Sequence, residues 1–382
     1  MPKNPVAGRA AIVGLGHTVQ GELPGRSPEE NAVDAGLLAL ADAGLTLDDL
    51  DGLIACKSVQ GQGNDVAVGA LLGVNLPYVQ SLDYGTCNFS LHLAVMAIVS
   101  GMANTILLTY GANARSGKFD FGQPMYGADW ASAAGLVHIA GRAGLALQRH
   151  KAIYGTTDEQ FGMLAVGQRL WAQKNPIAIF RQPMSMADYL SEPYMVDPLR
   201  RSDVTMISDG GVAVVVCSAE RARDLPNRPV YLSGMSEYAG VRGEHDPENL
   251  MRPWLRDSAS AIWAATGLNA GDIDALYIQD PTALWSLQML EYYGFCDIGE
   301  GGPFLAEGHT LPGGDLPLNT HGGQLSESYT WGWMHVVEAV RQLRGQAGER
   351  QLDVPQIAMY CSSHGFVKAA ASILSTDKSV GS

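Results

Sequence analysis

The chain has 382 residues, 46% of them hydrophobic and 17% charged, with a formal net charge of −14. That length can bury a large core and hold two domains or a duplicated one, and the composition excludes a disordered chain. The acidic balance gives no reason to expect nucleic acid or an anionic membrane as partner.

Residues 10–15 read as a short apolar strand. Ser27-Pro-Glu-Glu then opens a helix that runs through Ala32, Ala35, Leu38 and Leu40 to Gly44. Serine caps, proline suits the first helical position, and the acids meet the positive end of the helix dipole. A strand over 52–56, a helix over 64–72 and a strand over 79–82 follow. They lead to Ser81-Leu-Asp-Tyr-Gly-Thr-Cys87, after which Leu91, Val95, Ile98 and Val99 recur at helical spacing. Cys87 therefore falls in or beside the first turn of a buried helix. Unpaired N–H groups and the helix dipole there favour a thiolate, so Cys87 is the candidate nucleophile. The other reading is a small hydrophobe in a tight packing position.

A strand over 105–110 closes this unit. From 113 to about 201 the alternation stops, and a helical lobe with a long helix over 157–174 is inserted; segments of this length commonly cover a site. Strands resume over 212–217 and 229–233. The opening pattern then repeats: Ala43-Gly-Leu-Thr-Leu-Asp-Asp-Leu-Asp-Gly-Leu-Ile54 matches Thr266-Gly-Leu-Asn-Ala-Gly-Asp-Ile-Asp-Ala-Leu-Tyr277 at one constant offset. Again a helix (258–265) precedes the repeat and a strand follows it. Gly322-Gly-Gln-Leu-Ser-Glu-Ser-Tyr329 opens a helix through Val336, Val337, Val340 and Leu343, before a strand over 356–360. The result is an α/β chain of two related halves, 1–235 and 236–382, whose equivalent helix starts meet near a pseudo-twofold. Cys87 and the residues after Gly323 are expected to share one site.

Five cysteines (Cys56, Cys87, Cys217, Cys296 and Cys361) lie far apart without CxxC or Cys/His spacing. Neither a disulfide framework nor a zinc site within the chain is expected. The first residues lack an apolar signal core and no run reaches the length of a membrane span, so a cytoplasmic setting is expected. Asp48, Asp49 and Asp51 read as a solvated turn that recurs because the turn recurs. His92 reads as a hydrogen-bonded core histidine, His321 as a shaper of its glycine turn, and Trp285, Trp331 and Trp333 as lining a pocket or a subunit contact or as plain packing.

Taken in order, these motifs resemble the thiolase superfamily over nearly the whole chain. The resemblance implies two duplicated βαβαβαββ-type halves in a layered α/β/α/β/α core. The Cys87 segment is similar to the family's nucleophile motif, Ser208-Asp-Gly-Gly to its Asp-Gly-Ala strand, and Leu318-Asn-Thr-His-Gly-Gly to its Asn-x-x-Gly-Gly turn. Cys361-Ser-Ser-His364-Gly lies where thiolases carry a second cysteine. Arg115-Ser-Gly-Lys-Phe-Asp-Phe-Gly-Gln and the stretch from Asn319 to Tyr329 look most like lipid-transfer-protein or sterol-carrier-type thiolases. That branch includes steroid side-chain aldolases and benzoylsuccinyl-CoA-type thiolases. It implies coenzyme A as substrate or product, no covalently bound cofactor, and a homodimer. It also implies a small OB-fold partner subunit that carries any zinc.

The resemblance places Asn319, Gly323 and Gly365 as donors around the thioester, with Asn319 equally readable as a turn residue that bonds its own backbone. It makes Cys361 and His364 acid–base candidates, and sets Arg115, Lys118 or Arg201 near the coenzyme A phosphates. Two positions depart from thiolases. Tyr329 stands where they carry the histidine of Gly-His-Pro, as in the aldolase branch. Gln279-Asp280 stands where a His-Asp or Tyr-Asp pair is expected. With the cysteine kept and one tyrosine absent, the expected activity is thiolase-type acyl transfer through Cys87 on a bulky 3-oxoacyl-CoA. The alternatives are a retro-aldol lyase of a 3-hydroxyacyl-CoA, with Tyr329 or His364 as base, and a non-catalytic acyl-CoA- or lipid-binding subunit.

Overall fold

The structure is a computed structural model that describes residues 4–83, 85–121, 133–240 and 250–382. Trp130, and Gly122 and Gln123 at the end of the Arg115 motif, lie outside the described residues. The first half runs β1 (Ala10–His17), α1 (Pro28–Ala43), β2 (Gly52–Cys56), α2 (Asp65–Leu72), β3 (Tyr78–Leu82), α3 (Cys87–Val99) and β4 (Thr105–Asn113). An inserted lobe follows, with α4 (Ile139–Tyr154), α5 (Asp158–Gln173), α6 (Met186–Ser191) and a small hairpin of β5 (Tyr194–Val196) and β6 (Leu199–Arg200). Strand β7 (Asp209–Ser218) completes the half. The second half has β8 (Val230–Ala239), α7 (Leu255–Thr266), β9 (Ala275–Ile278), α8 (Ala283–Tyr292) and α9 (Gly301–Ala306). It ends with α10 (Gly323–Ser326), α11 (Trp333–Arg344), β10 (Ile357–His364) and β11 (Lys368–Ser375).

Local chemistry accounts for the boundaries. Ser27 Oγ accepts from the Glu30 N–H at 3.1 Å and the Glu30 carboxylate accepts from the Ser27 N–H at 2.8 Å, a reciprocal cap at the start of α1. Gly44 and its repeat partner Gly267 close α1 and α7 in the left-handed region, φ 68° and 71°.

The strands form one nine-stranded sheet in the order β3-β2-β4-β7-β1-β8-β11-β10-β9. Its two halves meet at an antiparallel seam where Ala11 faces Tyr231 and Ile12 faces Val230. Outward from that seam the halves run in the same order: first strand, last strand, then the two parallel strands β4 and β2, or β10 and β9. At the place of β3 the second half has a single parallel bridge between Leu276 and Leu318. Three cores define the layers. One, containing Leu91, Val95, Trp333 and Val337, joins α3 and α11 to both half-sheets. Another sets α1 and α2 against the first half-sheet, and a third sets α7 and α8 against the second. The architecture is the expected α/β/α/β/α stack with an inserted, mostly helical lobe.

The recurring acids are anchors. Asp51 accepts from the N–H groups of Asn104 (2.8 Å) and Thr105 (2.7 Å), where β4 begins. Its repeat partner Asp274 accepts from Gln356 (2.8 Å) and Ile357 (2.9 Å), where β10 begins.

Three features differ from the expectations. The boundary placed at 235 falls inside β8, which opens the second half at Val230. The helix expected from Gly322 is two helices, because the chain turns at Trp331 (φ 53°) and Gly332 (φ 77°). A Cβ at Gly332 would lie 2.1 Å from Tyr360 Oη, so glycine is required there. Strand β11 was not anticipated: Lys-Ala-Ala-Ala-Ser-Ile-Leu-Ser lacks alternation, since it is buried on both faces. Its small residues let α3 approach closely. Asn88 Nδ2 reaches the Ala370 carbonyl at 3.2 Å, and His92 Nε2 pairs with Ser372 Oγ at 2.9 Å. Among the described residues no helix is long and apolar enough to cross a membrane.

Candidate active site

Cys87 occupies the first position of α3, as its spacing implies. Its environment is the opposite of the one expected. The residue is 0% exposed and packs in the central layer with Tyr110, Trp333 and Tyr360. Burial pushes its thiol pKa well above the ordinary value, and the nearby Cys56 thiol adds to the effect. Desolvation outweighs the helix terminus here, so the net shift is upward and away from the thiolate. The flanking side chains turn inward as well. Thr86 Oγ1 pairs with Ser362 Oγ at 2.7 Å, and Asn88 Nδ2 donates to Ser362 Oγ at 2.9 Å.

Cys361 does not join this site. On β10, Tyr360 packs in the central core with Cys87, while Cys361 belongs to the outer core of the second half. Ser363 shares the outer side, accepting from Arg252 Nη1 at 3.1 Å. Cys361 is buried and its pKa is raised well above the ordinary value by desolvation, so the acid–base role expected of it fails on both position and ionisation. His364, at the end of β10, is half-buried opposite Lys368. Burial and the Lys368 charge push its pKa down to about 4, leaving the imidazole neutral near pH 7. Gly365 follows in the hairpin turn at φ 55°. Across the tip, Lys368 Nζ sits 4.1 Å above the Phe89 ring in the first turn of α3. The hairpin tip and the Cys87 turn are thus neighbours.

The Asn319–Trp333 segment crosses the central layer. Asn319 is not a thioester donor: its Oδ1 accepts from the Ile278 N–H at 2.8 Å and its Nδ2 donates to the Ile278 carbonyl at 2.9 Å. Both ends of the amide lock the loop to β9. Gly323 is a point of close approach, where a Cβ would fall 2.1 Å from Gln168 Oε1 and 2.4 Å from Asp280 Oδ2. Asp280 accepts from the Gln324 N–H at 2.8 Å and from His335 Nε2 at 3.0 Å, which fixes the start of α10. Gln279 Oε1 accepts from the Ser363 N–H at 3.0 Å and ties β9 to the hairpin.

Tyr329 is buried in the central core, its ring 5.9 Å from Trp331 and 6.3 Å edge-on from Phe121 of the lobe. Its backbone is gripped by Ser208, whose Oγ accepts from the Tyr329 N–H at 2.8 Å and donates to the Tyr329 carbonyl at 3.0 Å. A strap from the lobe runs alongside. The N–H groups of Ile179 and Phe180 donate to the carbonyls of Glu327 and Ser326, both at 2.9 Å. Asn175 Nδ2 joins the His321 carbonyl (2.8 Å) and Glu327 Oε1 (2.9 Å). Sequence reasoning missed Asn175 and Glu327, whose only signal is a polar residue beside a glycine turn. Arg115 is paired with Glu22 at 3.1 Å, and Arg201 donates to the Val204 carbonyl at 3.1 Å. Among the described residues no group of three or more His, Cys, Asp or Glu is placed to hold a metal ion.

Burial raises the Glu327 carboxyl from 4.5 to about 8, against the hydrogen bond from Asn175, and Glu338 adds to the rise. Between those values the folded chain holds a proton that the unfolded chain has released, so stability is full below the lower value and falls as pH rises through the upper one. At about 1.4 kcal/mol per unit the loss amounts to a few kcal/mol. Thermal melting of the wild type should drop as the pH is raised from about 5 to about 9, and Glu327→Gln should flatten that drop. An equal slope in both proteins would refute the assignment. Asp203, raised to about 7 by burial, titrates in the same sense, so the difference between the two proteins is the quantity to read.

The duplicated five-layer stack, with a cysteine-headed helix in its middle layer, is the thiolase fold. Residues 242–376 match the family model for the thiolase C-terminal domain-like family. The steroid side-chain-cleaving aldolase of Thermomonospora curvata is 35% identical over 374 residues, covering 92% of this chain and 94% of that protein. The 17-hydroxy-3-oxo-4-pregnene-20-carboxyl-CoA lyase of Mycobacterium tuberculosis is 35% identical over 362 residues, 89% of this chain and 92% of the relative. A solved structure described as the Ltp2-ChsH2(DUF35) aldolase superposes with a TM-score of 0.90 at 34% identity, covering 98% of this chain and 99% of that one. The chain belongs to the thiolase superfamily, in its sterol-carrier-type branch. Thiolysis was the expected chemistry, and these relatives favour the retro-aldol alternative instead.

Proposed function

We propose that the protein is a lyase that cleaves a bulky 3-hydroxyacyl-CoA by retro-aldol chemistry, with Tyr329 as its acid–base group. The observation that carries this reading is the contrast in the central layer. The thiol that acyl transfer needs is fully buried and its pKa is pushed up by that burial, while a tyrosine stands where the resemblance places the thiolase histidine, its backbone held by Ser208. The lyase and aldolase names of the relatives support it.

In the reaction a base takes the proton of the 3-hydroxyl. The C2–C3 bond breaks, its electron pair passes into the thioester as an enolate, and a carbonyl forms at C3. Protonation at C2 then gives the shortened acyl-CoA. His364 is neutral, but at about 4 it is too weak a base to lead this step. Tyr329 is assigned the proton transfer, and the main-chain N–H of Gly365 a place beside the thioester oxygen. Cys87 is a bystander. Coenzyme A enters as part of the substrate, and no cofactor is needed.

The assembly belongs to the same proposal. A small DUF35-type subunit, the carrier of any zinc, is the proposed partner by likeness to the aldolase complex. Strand β3, at the end of the sheet with Val79 42% exposed, offers an unpaired edge for a homodimer in the cytoplasm. The deciding experiment supplies a 3-hydroxyacyl-CoA without free coenzyme A, with and without such a partner. Release of a ketone or aldehyde and a shortened acyl-CoA is the expected result. Turnover only of a 3-oxoacyl-CoA, and only with added coenzyme A, would restore the acyltransferase reading.

A further inference from the structure

We infer that Ser208 is the positioning residue for Tyr329, holding the tyrosine in register through its main chain; this rests on the lyase reading above. Ser208 is fully buried just before β7, and its hydroxyl both accepts from the N–H and donates to the C=O of Tyr329, at 2.8 and 3.0 Å. One side chain therefore fixes the peptide groups on both sides of a residue 121 positions away. Among the described residues the hydroxyls of the flanking Ser328 and Thr330 are buried without a hydrogen-bond partner.

The next residue extends the device. Asp209 accepts from the N–H groups of Leu23 (2.8 Å), Arg115 (2.8 Å) and Ser116 (3.1 Å), at the root of the inserted lobe. That root leads within a few residues to Phe121, which meets the Tyr329 ring edge-on. Ser208 thus sets the tyrosine's backbone while Asp209 sets the lobe that supplies one wall of its ring. Two adjacent residues hold the reacting side chain and its cover in one frame. Ser208 touches neither substrate nor reacting atom and acts only through Tyr329. A displacement of about 1 Å in such a group can cost about 100-fold in rate.

The test uses two matched pairs, Ser208 against Ser208→Ala and Ser208→Thr against Ser208→Val, assayed for 3-hydroxyacyl-CoA cleavage with the partner subunit if the wild type needs one. Within each pair the residues are close in size and differ in the hydroxyl. The expected result is a fall in kcat of about 10- to 100-fold on losing the hydroxyl in both pairs, with KM and the stoichiometry of bound acyl-CoA unchanged. A purely structural role would lower the bound stoichiometry and the rate together, and that outcome overturns the inference. So does equal kcat within both pairs while Tyr329→Phe is inactive. If Ser208→Ala fails to fold, the Thr and Val variants decide. A wild type that does not cleave, or a Tyr329→Phe variant at full rate, removes the lyase reading and the inference with it.

Discussion

Replacing Tyr329 with phenylalanine should lower cleavage of a 3-hydroxyacyl-CoA by about 10²- to 10⁴-fold, the usual loss when a positioned acid–base group is removed. The ring stays between Phe121 and Trp331 and the backbone stays on Ser208, so the phenol hydroxyl is the main thing lost. The loss should appear in kcat more than in KM. Cys87→Ala should behave in the opposite way and keep activity within about threefold, since nucleophilic catalysis needs the thiolate that burial suppresses here. Steady-state kinetics of the two variants side by side measure both outcomes. Activity surviving in Tyr329→Phe and vanishing in Cys87→Ala would reverse the assignment of the site.

The largest stability loss should come from Glu338→Ala. Glu338, on α11, receives Arg350 on both oxygens, Nε at 3.0 Å and Nη2 at 2.8 Å, and Thr320 donates to the same carboxylate at 2.9 Å. Both ionic side chains are buried. Removing the acid leaves the buried Arg350 guanidinium without its counter-charge, with, among the described residues, only the Lys174 carbonyl at 3.3 Å to accept from it. Breaking a buried pair from one side costs about 3–5 kcal/mol. Chemical denaturation should register that loss, and Arg350→Met added to Glu338→Met should recover part of it, because an apolar pair leaves no buried charge. A Glu338→Ala protein as stable as wild type would show that the pair carries little.

The layered fold was legible because it is written twice. The constant offset between residues 43–54 and 266–277, helix caps such as Ser27-Pro-Glu-Glu, and the placing of Cys87 at a helix start all survive in the structure. What was not legible depends on partners far away in sequence. A helix start reads as a thiolate site because the motif announces the dipole, while the buried core that desolvates the sulfur, Tyr110, Trp333 and Tyr360 among its members, is assembled from other elements. Cys361 was misplaced for a simpler reason. Its side of the sheet depends on strand parity, and the successive residues Tyr360 and Cys361 face different cores. Asn319 looked like a donor in a glycine turn, and only the arrival of β9 beside it shows that its amide is closed on Ile278. Of the site itself, the position of Tyr329 was readable from its place after the Gly-Gly turn. The serine that clamps it, 121 residues earlier, was not.

The seam between β1 and β8 joins the equivalent strands of the two halves, and it joins them antiparallel. Antiparallel pairing of equivalent segments has the symmetry of a dyad: rotating one half by half a turn brings it onto the other. The polypeptide therefore builds, within one molecule, an interface that two separate half-length chains would make as a symmetric pair. Covalent linkage frees the copies to diverge. One has kept its β3 strand and gained the long insertion, while the other has supplied the tyrosine-bearing loop. A catalytic centre that needs unlike contributions from like scaffolds becomes possible once the scaffolds can no longer exchange partners.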